Sequence, residues 1–381
     1  VVPGASCRLG LRCEVVTTRL ARSGRERREI MSNLIHLTIR RRVLGLATAL
    51  AGLAVIFASS ALAQADSYRL YVANEFSADI TVIDTATDEV IDTITISGRP
   101  GEVRPRGMAV SPDGTIIYVS ISDFNPQIET PEDKIIGIDV RTNEVVSEFR
   151  AGGNPERVAV SPDGAHVWAA LEAIAQGAGY DVATGEQLAN FRVGVEAEGV
   201  AVSPDGKWVY VTAEATHTVT VIDAEALSVV KHVLVGNRPR VVEFSNDGSR
   251  AYVTAEIGGT ISVIETDAHT VIETINLGLD SRPVEVAVDP TSSRIYVAGG
   301  GTSAVYVVDT TDNSIIATIS EQMGRRPWGI AITPDGKRVY TANGLSDSVS
   351  VIDTQCLCVV DNIPAGRGAH SAEIGVIPGG L

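Results

Sequence analysis

Short apolar segments recur along the chain at intervals of 42 to 50 residues. Each repeat contains a segment with an aromatic residue at its centre, and these residues are Tyr71, Tyr118, Trp168, Tyr210, Tyr252, Tyr296 and Tyr340. A second apolar segment that ends in an acidic residue follows each of them, as in Val219–Asp223, and a third segment follows that, as in Thr270–Ile275. The alternating or fully apolar patterns of these segments predict β-strands in stacked sheets.

A fourth apolar segment completes each repeat and runs into a turn that is rich in proline, aspartate and glycine. It is clearest in Gly107–Gly114, and copies lie at 157–164, 199–206, 241–248 and 329–336, with a looser copy at 285–292. In such a turn proline presets the backbone, aspartate accepts backbone hydrogen bonds and glycine tolerates a positive φ, which predicts a hairpin connection. Four strands in a repeat of roughly 40–45 residues are typical of a β-propeller blade.

The repeats begin and end out of phase with this four-stranded unit. The first strand, Arg69–Val72, is of the aromatic kind, and the last, Ile374–Pro378, is of the kind that should precede it. Pairing the two would complete seven blades and remove two open sheet edges, which otherwise invite aggregation. We therefore expect an all-β fold, a seven-bladed β-propeller of four-stranded antiparallel blades closed by the C-terminal strand, as a single domain over residues 64–381.

The N-terminal 63 residues differ from the rest in charge. They hold ten arginines and three glutamates, a net charge of +7. Because the whole chain has a net charge of −16, residues 64–381 have a net charge of −23. Arg40–Arg42, an apolar run at 43–57 and Ala61–Ala63 predict a secretory signal peptide over 31–63, because the run is too short to span a bilayer comfortably. We expect cleavage after Ala63 or after Ala65, by either the general or the twin-arginine route, and an uncleaved anchor is the alternative.

The predicted leader sets the expected location of the protein. Residues 1–30 precede Met31 without apolar periodicity, and we interpret them as a disordered, over-long translation start. We expect the exported protein to be periplasmic or secreted, without a membrane span after cleavage, and monomeric.

Composition excludes several classes of function. With 44% hydrophobic residues the chain is not disordered, and its net charge of −16 predicts no nucleic-acid partner. The sequence lacks Cys-x-x-Cys-His, Gly-x-Ser-x-Gly and His-Glu-x-x-His, so covalent haem, a serine hydrolase elbow and a zincin site are not predicted. No cofactor is evident, and the sequence does not predict a metal site.

The repeats carry a family likeness. Tyr210–Ala213, Tyr252–Ala255 and Tyr71–Asn74 resemble the signature of the YVTN β-propeller repeat family. Glu198–Trp208 and Ala255–Thr260 are similar to the β-propeller proteins associated with PQQ-dependent alcohol catabolism. This resemblance implies a periplasmic accessory protein and a pathway, but it implies no reaction.

Two rings of residues are predicted at the end of the propeller where ligands bind. At the start of the inner strands the repeats align Arg106, Glu156, Glu198, Arg240, Val284, Trp328 and Ala372, and two residues earlier they align Arg104, Asn154, Glu196, Arg238, Arg282, Arg326 and His370. The charged and aromatic members would suit an anionic ligand at a channel mouth. Alternatively, these groups pair with one another and close the channel.

A ring of glutamates lies four residues after the blade aromatics. Its members are Glu75, Glu172, Glu214 and Glu256. Such an acidic face would attract a basic periplasmic partner such as a c-type cytochrome or a dehydrogenase. A divalent cation or plain solvated turns are the alternatives.

Two further features remain open at this stage. Cys356 and Cys358 lie two residues apart, near the limit for a disulfide, and they are either incidental or a redox or copper pair. The longest loop, 123–133, is the best candidate for a lid or recognition element, and its acids lack the spacing of a calcium loop.

We expect a binding or scaffold protein that serves quinoprotein alcohol oxidation, rather than an enzyme. One alternative is a propeller lactonase that uses Arg106, Glu198, Arg240 and His370. The other is a carrier that holds free haem or PQQ above Trp328.

Overall fold

The computed structural model describes residues 66–99, 101–125 and 132–379. The predicted leader and most of the loop at 123–133 lie outside these residues. The strands, in chain order, are β1 Ser67–Asn74, β2 Asp79–Asp84, β3 Glu89–Thr95, β4 Val103–Val110, β5 Ile116–Asp123, β6 Lys134–Asp139, β7 Val145–Arg150, β8 Pro155–Val160, β9 His166–Leu171, β10 Gln176–Asp181, β11 Gln187–Arg192, β12 Ala197–Val202, β13 Trp208–Ala213, β14 Thr218–Asp223, β15 Ser228–Leu234, β16 Pro239–Phe244, β17 Arg250–Ala255, β18 Thr260–Glu265, β19 Thr270–Asn276, β20 Pro283–Val288, β21 Arg294–Gly299, β22 Ala304–Asp309, β23 Ile315–Ile319, β24 Pro327–Ile332, β25 Arg338–Asn343, β26 Ser348–Asp353, β27 Cys358–Pro364 and β28 Ala369–Ile377.

These strands form seven four-stranded antiparallel sheets in the part of the chain that the structure describes. Blades 2 to 7 each use four consecutive strands, from β4–β7 to β24–β27, and blade 1 has the order β28-β1-β2-β3. Within blade 1, Tyr71 pairs with Glu373 and Ser67 pairs with Ile377. The predicted seven-bladed propeller, closed by its C-terminal strand, is confirmed.

The sequence pattern follows from the position of each strand in its blade. Second and third strands lie between neighbouring blades and are almost wholly buried, as in β17 and β18, whereas outer strands such as β19 have mostly exposed residues. The central aromatic residue of the second strand fills the gap between blades. Tyr71 donates to Asn143 Oδ1 of blade 2 at 2.8 Å, and Tyr340 donates to Asp88 Oδ1 of blade 1 at 2.8 Å. Hydrogen bonds from these tyrosines therefore join blades 7 and 1, where the ring closes, in the same way as they join blades 1 and 2.

The turns rich in proline, aspartate and glycine have the predicted mechanism. In blade 2 the Gly114 amide donates to the Ser111 carbonyl at 2.8 Å with a φ of +78° at Gly114, and Asp113 accepts the Thr115 amide at 3.1 Å. A single 3-10 turn, Glu172–Ile174, connects β9 to β10. None of the described helical residues forms a helix long and apolar enough to cross a membrane.

Candidate functional site

The two predicted rings meet because of one hydrogen bond that recurs around the fold. This backbone bond is present in six blades. Its donor is the amide of the residue four positions after the central aromatic residue of the second strand. Its acceptor is the carbonyl of the residue immediately before the inner strand. These bonds are Glu75 to Gly368, Glu172 to Asn154, Glu214 to Glu196, Glu256 to Arg238, Gly300 to Arg282 and Gly344 to Arg326, at 2.8–3.1 Å. Glutamates and arginines that lie far apart in sequence therefore surround one cavity at the centre of this face.

The same register corrects one predicted alignment. Gly368, with a φ of +70°, occupies the place of Arg238 and Arg326, which have φ values of 58° and 57°. Asn74 pairs with Ala369 as Asn343 pairs with Pro327. His370 is therefore the equivalent of Trp328 and Arg106, and it belongs to the ring at the start of the inner strands. The sequence alignment failed here because blade 1 has Ala369 in place of the proline that five of the other six blades have at this position.

The central cavity has a volume of about 360 Å³. It is lined by most of the predicted site residues together with three exposed apolar side chains that the sequence did not single out. The lining residues are Glu75, Phe76, Arg104, Arg106, Phe124, Glu156, Glu172, Glu198, Glu214, Arg238, Arg240, Arg326, Trp328, Gly344, Leu345, Gly368, Ala369 and His370.

Blades 1 to 3 contribute a first cluster of charges, the Glu156 network. Arg104 contacts Glu75 at 3.0 Å and Glu156 at 3.1 Å, and Arg106 contacts Glu75 at 2.9 Å. Arg106 Nε also donates to Glu156 Oε2 at 2.6 Å. Both guanidinium groups are buried, and paired carboxylates compensate such charges best.

The fifth member of this network, Glu172, has no cationic partner among the described residues. Burial and the neighbouring Glu156 carboxylate raise the pKa of Glu172 to about 8. Glu172 consequently holds a proton at neutral pH and shares a hydrogen bond with Glu156. A neutral carboxylic acid in a cavity can donate a proton as well as a hydrogen bond.

Blades 4 and 5 contribute a second cluster, the Glu214 network. Arg240 contacts Glu198 at 2.8 Å, Glu256 at 2.8 Å and also Glu214, and Arg238 contacts Glu214 at 2.7 Å. Burial, with Glu198 nearby, raises the pKa of Glu214 to about 7 despite the two arginines. Glu214 is therefore only partly ionised at neutral pH.

Blades 7 and 1 provide a wall of different character, made by Trp328, His370 and Arg326. The rings of Trp328 and His370 lie 5.4 Å apart, and the guanidinium of Arg326 lies 4.4 Å from the indole ring centre. Arg326 is exposed, and its guanidinium forms no ion pair within the described ranges. Both ring nitrogens of His370 lack a hydrogen-bond partner although this residue is only 6% exposed. Burial and the surrounding arginines hold the pKa of His370 well below its usual range, so the ring is neutral.

An apolar rim surrounds the mouth of the central cavity. The side chains of Phe76, Phe124 and Leu345 line it and are each at least 40% exposed. Phe76 and Phe124 contact each other with ring centres 6.0 Å apart, and Arg104 lies 5.4 Å from the Phe124 ring centre. A ligand that enters the charged interior therefore passes apolar surface first.

The remaining predicted site residues lie beside this cavity. Glu256 and Arg282 line a neighbouring cavity of about 300 Å³ that shares Arg326, Trp328 and Leu345 with the central one. The four glutamates do not form a separate exposed face, since Glu214 and Glu256 are buried and all but Glu172 contact arginines. The arginines and glutamates pair with one another, as one alternative predicted, yet they leave the central cavity open.

Below the cavity, the channel contains charges that sequence reasoning missed. Arg157 of blade 3 forms an ion pair with Glu285 of blade 6 across the ring, and each side chain is 9% exposed. Burial, with the nearby Glu373 charge, raises the pKa of Glu243 to about 8. Burial, with the nearby Glu285 charge, raises the pKa of Glu373 to about 7. Arg157, Glu243, Glu285 and Glu373 all lie within inner strands, next to buried apolar residues, and this placement was the available signal in the sequence.

The cysteine pair and possible metal sites complete the description. Cys356 and Cys358 are joined in a disulfide with Cα atoms 5.3 Å apart, so the interpretation of two incidental cysteines is wrong. Over the described ranges, histidine, cysteine and acidic side chains form no group of three that could hold a metal ion.

Comparisons with known proteins agree with the fold. Residues 199–356 match the family model described as "Lactonase, 7-bladed beta-propeller". This match runs from β12 to the turn after β26. A search of curated proteins finds no significant sequence match.

Solved structures with the same fold have diverse functions. A putative 6-phosphogluconolactonase from Bacteroides fragilis superimposes with a TM-score of 0.64 at 15% identity, over 81% of this chain and 98% of that one. Hydrazine synthase from Kuenenia stuttgartiensis gives 0.63 at 20% identity, over 72% and 95%. Dihydro-heme d1 dehydrogenase NirN, in complex with DHE, gives 0.58 at 16% identity, over 82% and 75%. At these identities the likeness concerns the fold alone.

Proposed function

We propose that the protein binds a small organic anion with an apolar or aromatic body in the central cavity. The observation that carries this proposal is the Arg326 guanidinium, which lies over the Trp328 ring without a carboxylate partner among the described residues. An arginine held on an indole face can form a bidentate contact with a carboxylate or phosphate. The apolar rim suits the body of such a ligand.

The charge balance of the cavity supports an anion over a cation. Five arginines and five glutamates line it. Glu172, with a pKa of about 8, is mostly neutral at pH 7, and Glu214, with a pKa of about 7, is partly neutral. The arginines remain charged at any accessible pH, so the net charge of the lining is positive.

Binding can be tested with PQQ, a planar aromatic tricarboxylate, and with benzoate as a minimal probe, by calorimetry. Losing a hydrogen bond to a charged group costs about 1.5–3 kcal/mol, so Arg326→Met should weaken binding by roughly 10- to 100-fold. Arg282→Met is the matched control, because Arg282 has the equivalent position in blade 6 but lines only the neighbouring cavity. If neither probe binds, or if both variants lose affinity equally, the proposed site is wrong.

The protonation of Glu172 gives this proposal a pH signature. Above the raised pKa of about 8 the Glu172 side chain becomes a carboxylate and cancels positive charge in the cavity. Affinity for an anion should therefore fall as the pH rises through this value. Glu172→Gln should reduce that dependence, and an unchanged dependence in this variant would exclude Glu172 as its source.

A second candidate function is hydrolysis of a lactone in the same cavity. The specific observation is a protonated acid, Glu172, in a cavity that also holds a neutral histidine with unpartnered nitrogens, His370. The family match over residues 199–356 supports this reaction class. Its product, a hydroxy acid, is itself a small organic anion.

The reaction would use these groups as follows. His370 accepts a proton from water as the water oxygen bonds to the lactone carbonyl carbon, and the positive potential set by Arg106 and Arg240 stabilises the oxyanion. The ring C–O bond then breaks, and Glu172 protonates the leaving alkoxide. Sequence reasoning named Arg106, Glu198, Arg240 and His370 for this role; Glu198 instead orients Arg240 through a 2.8 Å contact.

Lactonase activity can be tested by following acid release from sugar and aliphatic lactones. If the mechanism is right, His370→Ala and Glu172→Gln should each reduce kcat by roughly 100-fold or more. Glu148→Gln is a control at a glutamate of the outer strand β7 that is paired with Lys134 at 3.0 Å, away from the central cavity. Turnover that survives both site substitutions, or no turnover in the unaltered protein, would leave anion binding as the only proposed function.

We further propose that the protein works outside the cytoplasm as an accessory to PQQ-dependent alcohol oxidation. The predicted leader, the resemblance of the repeats and the charge of −23 over residues 64–381 support this role. This net negative charge would favour encounter with a basic c-type cytochrome or a dehydrogenase. Affinity capture from periplasmic extract should recover one of these proteins at low salt and lose it at high salt. Recovery of neither would contradict the role.

A further inference from the structure

The disulfide between Cys356 and Cys358 lies on the opposite face of the propeller from the central cavity. It sits in the turn between β26 and β27, whereas the cavity face is formed by the connections between second and third strands and by those that lead into inner strands. Both cysteines are exposed. Its role is consequently separate from the function proposed for the cavity.

The fold does not need this disulfide to form the turn. Each blade makes the same turn with one residue at positive φ or an equivalent glycine, and these residues are Asp88, Asn143, Gly185, Leu227, His269, Asn313 and Leu357. In blades 1, 2 and 3 that residue donates its amide to the carbonyl of the preceding acidic residue at 2.8 Å, and in blade 7 Leu357 donates to Asp353 at 2.9 Å. Only the blade 7 copy, among the described residues, contains cysteines.

The cross-link also constrains very little of the chain. It closes a loop of two cysteines and the single residue between them. The stabilisation that a disulfide gives by restricting the unfolded chain decreases with loop length. A cross-link that neither shapes its turn nor restrains a long loop has no evident structural role.

The surroundings of Cys358 give access to a reacting thiol. Cys358 lines a groove of about 350 Å³ together with Leu357, Val359 and residues 318–322, which include the end of the outer strand β23. The outer strands are sheet edges with backbone groups free to pair with an extended segment. A cysteine-containing peptide that lay along this edge would bring its sulfur to the disulfide.

We propose that Cys356–Cys358 is a thiol–disulfide exchange centre. A thiolate of the reacting partner bonds to one sulfur of the pair, the bond between Cys356 and Cys358 breaks, and the other cysteine leaves as a thiolate and takes a proton. A second thiol of the partner then resolves the mixed disulfide. Two electrons and two protons pass from the dithiol partner to this protein, and the partner gains a disulfide; the reverse reaction oxidises the pair again.

The test uses the purified full chain, reduced glutathione and a small dithiol protein as separate reductants. Free thiols are alkylated and mapped to peptides by mass spectrometry, which separates Cys356 and Cys358 from Cys7 and Cys13. We expect reduction of the pair by at least one reductant at millimolar thiol, and a trapped mixed disulfide in Cys356→Ser or Cys358→Ser. Faster reduction by the dithiol protein at equal thiol concentration identifies a protein partner, and reduction by glutathione at an equal rate identifies a small thiol.

A structural disulfide would behave differently. We expect the double variant Cys356→Ser/Cys358→Ser to keep the unfolding midpoint of the oxidised protein and its probe binding at the central cavity. Resistance of the pair to both reductants would overturn the proposal. So would a large loss of stability in the double variant, because the cross-link would then be holding the turn.

Discussion

The ion pair between Arg157 and Glu285 predicts an asymmetric response to removing either partner. The two groups join blades 3 and 6 across the channel, and each side chain is 9% exposed. Glu285 Oε2 also accepts the Ile330 amide at 3.1 Å, which connects the pair to blade 7. Glu285→Gln keeps this hydrogen bond but leaves Arg157 buried and charged, because arginine does not lose its proton in proteins. Breaking a buried pair in this way costs about 3–5 kcal/mol.

Arg157→Met should cost less, because the carboxyl group left behind can lose its charge. Burial already raises the pKa of Glu285 even with Arg157 beside it. Without Arg157 this pKa rises further, and Glu285 takes a proton instead of remaining as an unpaired buried anion. We expect the free energy of unfolding of Arg157→Met to exceed that of Glu285→Gln by about 1–2 kcal/mol near pH 7.

The two variants should also differ in their dependence on pH. In Arg157→Met the folded-state pKa of Glu285 lies above its unfolded value, so the native state holds an extra proton and stability falls as the pH rises through the raised pKa. The deficit of the Arg157→Met variant relative to the unaltered protein should therefore grow as the pH rises above the ordinary pKa of glutamate, and the deficit of the Glu285→Gln variant should not grow. Urea unfolding followed by tryptophan fluorescence measures both. Equal deficits with equal pH dependence would refute the reasoning.

Three further predictions concern the ring and its channel. Tyr340→Phe removes the hydrogen bond to Asp88 that joins blades 7 and 1, and urea unfolding should show a loss of about 0.5–1.5 kcal/mol. Since the pKa of Glu243 is raised to about 8, stability should fall with rising pH towards that value, and Glu243→Gln should flatten the curve in thermal melts between about pH 5 and pH 8. Deleting residues 369–381 removes β28 and leaves the inner edge of β1 unpaired, so size-exclusion chromatography should show aggregates rather than a monomer; a monodisperse, folded truncation would contradict the closure argument.

The fold was predictable because the strand pattern and the turn chemistry repeat along the chain. The aromatic centre of each second strand and the glycine of each hairpin recur with the same physical role, as Tyr340 and Gly114 illustrate. Closure followed from the phase of the repeat alone. The position of His370 did not, because Ala369 replaces the proline found at the start of the inner strand in most other blades, and only strand register fixes it.

The candidate site was predictable in its residues but not in its arrangement. Sequence alignment separates the arginine ring from the glutamate ring, since the inner and second strands lie between them in every repeat. The bond from the Glu214 amide to the Glu196 carbonyl, and its copies, bring the rings together in space. Which arginine remains unpaired depends on side-chain contacts between neighbouring blades, and the repeat pattern contains no information about these contacts.

Pairing within the cavity also determines where recognition can occur. Arg106 and Arg240 are each held by at least two carboxylates, so a ligand that bound them would have to compete with existing ion pairs and leave buried anions behind. Arg326 carries no such cost, and its contact with Trp328 restricts the guanidinium without neutralising it. The paired arginines therefore set a positive potential and a fixed shape, while direct contact with an anion falls to Arg326 and to the unpartnered nitrogens of His370. A ligand selected in this way needs one anionic group at Arg326 and an apolar body against the rim of Phe76, Phe124 and Leu345. For this reason the comparison of Arg326→Met with Arg282→Met separates recognition from the general potential of the site.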